Sequence, residues 1–147
     1  MQMATPYEDI YERALFKVKD LKLGAMEESE RRYVLRQYLN SAVADFVTKC
    51  EKDLDDRDDA TEEFSETLSN EQKEILALGI AYYWLSAQIM DRTLLKNKIS
   101  TKDYQYFSPA NLMREINTMR TDVYKEYRHR LTNYTYDHGD LAMGGNG

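Results

Sequence analysis

The chain has 147 residues, 42% of them hydrophobic, enough for one ordinary core and too little for two. Charged residues make up 31%, with only six Gly and two Pro, which suits helices and short connections better than a turn-rich β-sandwich. The formal net charge of −6 is unlike the basic balance of a nucleic-acid reader, and the one cysteine, Cys50, allows no intrachain disulfide and makes a reducing compartment the default.

In chain order, Met1 to Pro6 lacks the basic and apolar regions of a secretory leader. Thr5 as N-cap, Pro6 at N1 and Glu8 at N3 predict the start of a first helix by a capping box. Tyr7, Ile10, Tyr11, Ala14, Leu15 and Val18 recur on one face, and Gly24 suits the stop. A second helix is predicted from about Met26 to Lys49. Glu27, Glu28 and Glu30 favour its N-terminus, and Val34, Leu35, Tyr38, Leu39, Ala42, Val43, Phe46 and Val47 form its stripe. The short connection predicts an antiparallel pair.

Glu51 to Glu66 holds nine acidic residues, with Leu54 and Phe64 its only large apolar groups. It reads as an ordered or semi-ordered loop with a short extended piece around Phe64. Its carboxylate spacing approaches that of a calcium loop. However, Asp56 stands where the turn requires Gly and Arg57 lies among the ligands, so a solvated acidic surface is the better reading.

Ser69 and Gln72 form a second capping box, and Ile75 to Leu85 is apolar nearly all round, interrupted by Gly79. Such a helix is expected at the centre of the domain, with Trp84 and Leu85 buried. After a connector from Lys96 to Phe107, Ser108 and Pro109 are placed to start a fourth helix, with Leu112, Met113, Ile116, Met119, Val123, Tyr127 and Leu131 facing inward. Arg114, Arg120, Lys125, Arg128 and Arg130 make its other side basic. From Thr132 the periodicity is lost. The expected architecture is therefore all-α: a four-helix bundle-like domain over residues 1–131, with a central apolar helix, an acidic loop, and an extended tail over 132–147.

No catalytic or cofactor-binding constellation stands out. His129 and His138 have no ligand partners at metal spacing, and Cys50 reads as a partly buried structural thiol. Most of the twelve tyrosines are expected to border the core with hydroxyls reaching water. Tyr104, Tyr106, Tyr134 and Tyr136 fall outside the expected helices, and aromatic residues there suggest contact with another protein.

The order of these features resembles the helical adaptor proteins of the head-to-tail connector of tailed phages. The likeness covers nearly the whole chain. It is carried by Phe46, Lys49 and Cys50, then Asp53-Leu54 and Asp56-Arg57-Asp58. It continues through Gly79, Tyr83, Trp84 and Leu85, and through Ser100-Thr101-Lys102-Asp103 leading to Tyr106-Phe107-Ser108-Pro109-Ala110-Asn111-Leu112. It ends in Tyr134, Tyr136, Asp137, His138, Gly139, Asp140 and Leu141. The resemblance implies a virion protein, made in the host cytoplasm, that forms a ring, commonly twelvefold, beneath the portal protein. The ring extends the channel through which double-stranded DNA passes without sequence-specific binding, and it presents a surface to the next neck or tail-completion protein. No membrane, metal or cofactor is implied. The C-terminal segment would dock on the portal through Tyr134, Tyr136, Asp137, His138, Asp140 and Leu141. Asp55, Asp56, Asp58 and Asp59 would face either the lumen or solvent. The alternative is a soluble helical protein-binding module of a phage, regulatory or chaperone-like, acting as a monomer or dimer. A hydrolase has no constellation to support it.

Overall fold

A computed structural model describes residues 4–18, 23, 26–98 and 110–134. Among the described residues the main helices are α1 (Tyr7–Val18), α2 (Glu28–Phe46), α3 (Asn70–Lys98) and α4 (Ala110–Tyr134). Three two-residue strands, β1 (Thr5–Pro6), β2 (Arg57–Asp58) and β3 (Glu63–Phe64), form a small antiparallel sheet in the order β1-β3-β2. The domain is all-α apart from this patch.

Helix α3 is central, and α1, α2 and α4 all pack on it. Ile75, Leu76, Ala77, Leu78, Ile80, Ala81, Trp84 and Leu85 are all buried, so the run from 75 to 85 faces neighbours on every side. The Trp84 ring meets Tyr38 of α2 edge-on, with centroids 6.2 Å apart. Gly79 marks a close approach: a Cβ there would lie 2.6 Å from the Ala42 Cβ and 2.9 Å from the Tyr127 hydroxyl. The capping box at the start of α3 is reciprocal. The Gln72 N–H donates to Ser69 Oγ at 3.1 Å, and the Ser69 N–H donates to Gln72 Oε1 at 2.8 Å.

The start of α1 differs from expectation. Thr5 does not cap the helix, because it belongs to β1. Its hydroxyl donates to the Glu66 carbonyl and accepts from the Leu68 N–H, at 2.8 and 2.9 Å. The Tyr7 N–H donates to the Glu62 carbonyl at 2.8 Å, so the hairpin does the work expected of the cap. Glu8, expected to close a capping box, approaches Arg32 of α2 instead. A long-range partner displaced the local one, which spacing alone does not reveal. Helix α3 runs on to Lys98, three residues into the connector expected from Lys96, while the rest of that connector, the expected stop at Gly24 and the Ser108-Pro109 start of the fourth helix lie outside the described residues. Helix α2 spans a shorter stretch than predicted, but Leu35, Leu39, Ala42, Val43 and Phe46 of its stripe are buried as expected.

Candidate functional site

Three polar assemblies connect the elements. The first lies between α2, α3 and α4. The Asp45 carboxylate accepts hydrogen bonds from Tyr83 at 2.6 Å and Tyr127 at 2.8 Å. Burial, then the bond to Asp45, pushes the Tyr127 hydroxyl far above the ordinary tyrosine range. Tyr82 lies beside this pair, 5.1 Å from the Tyr83 ring and 4.9 Å from the Tyr124 ring, with the Arg120 guanidinium 5.9 Å from the Tyr82 ring centre. The inner tyrosines therefore do not all border the core with wet hydroxyls. Tyr7 and Tyr127 are buried and bonded to carboxylates, whereas Tyr33 is exposed.

The second assembly corrects the expected tail. Helix α4 continues to Tyr134, whose side chain is only 1% exposed. Its ring packs edge-on against Phe46, with centroids 4.8 Å apart. Its hydroxyl accepts from Gln72 Nε2 at 3.1 Å and from the Glu51 N–H at 3.3 Å. It also lies 4.0 Å from Cys50 Sγ. Tyr134 thus joins the ends of α2 and α4 to the start of α3 as a buried core residue of the helix, not as part of an extended tail. Its position was legible, seven residues after Tyr127 and eleven after Val123 on the same helical face. Burial pushes the Cys50 thiol up, away from a reactive thiolate. Tyr136, Asp137, His138, Asp140 and Leu141 lie outside the described residues, as do Tyr104 and Tyr106.

The third assembly is the acidic hairpin. Leu54 and Phe64 anchor it in the core. The Tyr7 hydroxyl donates to the Asp59 carboxylate at 2.7 Å, and Arg36 donates to the Asp59 carbonyl at 3.2 Å. The Ala60 N–H donates to the Asp58 carboxylate at 2.8 Å, and Glu62 turns the chain at φ 56°, a left-handed conformation that few residues other than Gly adopt. Asp55, Asp56, Asp58 and Asp59 are all exposed. Asp59 is thus tied to α1, Asp56 and Asp58 accept from Ser65 Oγ and the Ala60 N–H within the hairpin, and all four keep an exposed side to solvent. Among the described residues no group of three or more His, Cys, Asp or Glu is placed to hold a metal ion.

Several large apolar side chains remain on the surface of well-formed helices: Phe16 at 79% exposure, Tyr33 and Met90 at 60%, and Tyr124 at 42%. Phe16 edges a shallow groove with Glu12, Arg13, Lys17 and Glu74. Lys17 and Arg13 reach Glu74 at 2.6 and 3.4 Å. Burial alone would raise the Glu74 carboxyl, but these two cations outweigh it and hold the group below its ordinary value. No described helix is long and apolar enough to cross a membrane. No family model, curated protein or solved structure matches the chain.

Proposed function

We propose that this chain works by binding other proteins, and that its specific role is that of a head-to-tail connector subunit, forming a ring under the portal of a tailed phage. The observation that carries the first half is the exposure of Phe16, Tyr33, Met90 and Tyr124 on the surface of the described helices. The polar clusters also support binding over catalysis. Asp45, Asp59, Gln72 and Cys50 are occupied in holding helices and hairpin together. The connector role rests on the resemblance of the chain from Phe46 to Leu141.

The second reading, a regulatory or chaperone-like phage protein acting as a monomer or dimer, draws on the same exposed side chains. Mass measurement of the purified chain mixed with purified portal separates the two. The connector reading expects many copies to load on each portal ring. A chain that stays monomeric or dimeric and ignores the portal leaves only the binding module.

A further inference from the structure

The outer side of α4 carries a continuous polar stripe. Arg114, Thr118, Thr121, Lys125, Arg128 and Thr132 are spaced by four, three, four, three and four residues, and all six are exposed. The stripe lies opposite Ile116, Val123, Tyr127 and Tyr134, so it points directly away from the bundle. It covers about 27 Å of helix. No carboxylate lies within it, and among the described residues Arg114, Lys125 and Arg128 form no ion pair. Arg130, off the stripe, is paired with Glu126.

The hairpin shows the opposite charge. In the β2–β3 register Arg57 stands across from Phe64, and Asp58 across from Glu63. Phe64 is buried, so the alternation of strand side chains places Asp58 and Glu63 together on the opposite face, where Asp58 is exposed and Glu63 half-buried. Like charges directly opposite each other in an antiparallel pair repel. Lys52 and Arg57 are the only cations between Glu51 and Glu66, and neither is ion-paired with Asp58 or Glu63 among the described residues. The hairpin is tied to α1 and α2 through Tyr7 and Arg36, so it does not reach the outer stripe of its own α4.

The geometry points to a second copy of this chain as the partner of both surfaces. The Asp58 and Glu63 carboxylates of one copy dock on Lys125 and Arg128 of the next. The two surfaces are different patches of one subunit, so the contact is heterologous and repeats from copy to copy. This inference rests on the ring reading and names the surfaces that would build the ring. A contact between charged side chains at the rim of the fold is salt-sensitive and selects partner and register more than it sets affinity.

The test is sedimentation of the full chain at high concentration in low salt. Wild type is expected to associate, and to dissociate near 1 M salt, where the screening length is about 3 Å. Lys125→Glu alone and Glu63→Lys alone should each weaken association on the order of tenfold. The combined Lys125→Glu/Glu63→Lys chain should regain most of it. Neither side chain is bonded elsewhere among the described residues, so unchanged helical circular dichroism is expected for all three. A chain that stays monomeric under these conditions overturns the contact, whatever its behaviour toward the portal. Association that ignores both reversals overturns the surface assignment and leaves the ring reading intact. If instead Lys125→Glu abolishes binding of a short DNA duplex and leaves self-association unchanged, the stripe is a phosphate-binding surface and the inference fails.

Discussion

Asp45 and the pair Asp58 and Glu63 are the same chemical group in opposite circumstances. Asp45 sits partly buried between α2, α3 and α4 and accepts two tyrosine hydroxyls. Asp58 and Glu63 face each other across two short strands, on the face away from Phe64. The first carboxylate has its energy inside the fold, where a charge out of water must be bonded. The second pair costs the fold a little, and its natural complement is a cation from elsewhere. A chain with net charge −6 therefore holds acids bonded inside the fold and, at the hairpin, Asp58, whose carboxylate accepts only the Ala60 N–H, beside Glu63, which has no ion-pair partner among the described residues.

The largest effects belong to the interior. Trp84→Ala should lower stability by roughly 3–5 kcal/mol in denaturant unfolding, because the ring is buried at the centre of three helix contacts. A chain cut after Asn133 should lose about 3 kcal/mol, since it removes the Tyr134 ring from between Phe46, Cys50 and Gln72. A chain cut after Tyr134 keeps the ring in place and should be the more stable of the two by that amount. Equal stability of the two cut chains would show that Tyr134 is not a core residue.

Asp45→Asn comes next, at about 1–3 kcal/mol, because two hydroxyls lose a charged acceptor. The same cluster gives a pH signature. Tyr7, Tyr11, Tyr83 and Tyr127 all have hydroxyls pushed above their ordinary value, with burial the first cause in each. Their contribution is fully present below about pH 10, the unfolded value, and is lost as the pH rises through the higher folded values. Stability should therefore fall at alkaline pH, and Tyr127→Phe should make that fall shallower while lowering stability near neutral pH, because the bond to Asp45 is gone. The smallest effect has the opposite sign. Glu63→Gln should raise stability by a few tenths of a kcal/mol by removing the repulsion with Asp58. A loss there would mean that Glu63 serves the fold after all.

How much of this could be read in the sequence depends on the range of the interaction. The helix stripes, the Ser69–Gln72 box and burial of Trp84 follow from period and spacing, which are local. The Thr5 cap failed because its true partners, Glu66 and Leu68, are about sixty residues away. Tyr134 was misplaced because two polar residues, Thr132 and Asn133, hide a seven-residue step from Tyr127. The hairpin was legible only as charge and one anchoring phenylalanine. The pairing of Asp58 with Glu63 depends on strand register, which no composition gives.

The most direct measurement is zero-length carbodiimide cross-linking of an equal mixture of isotope-labelled and unlabelled full chains, which joins a carboxylate to a lysine only where they touch. The account predicts mixed-label peptides linking the Asp58–Glu63 hairpin to Lys125. Hairpin links confined to a single label, or mixed-label links that favour Lys17 or Lys73 over Lys125, would contradict it.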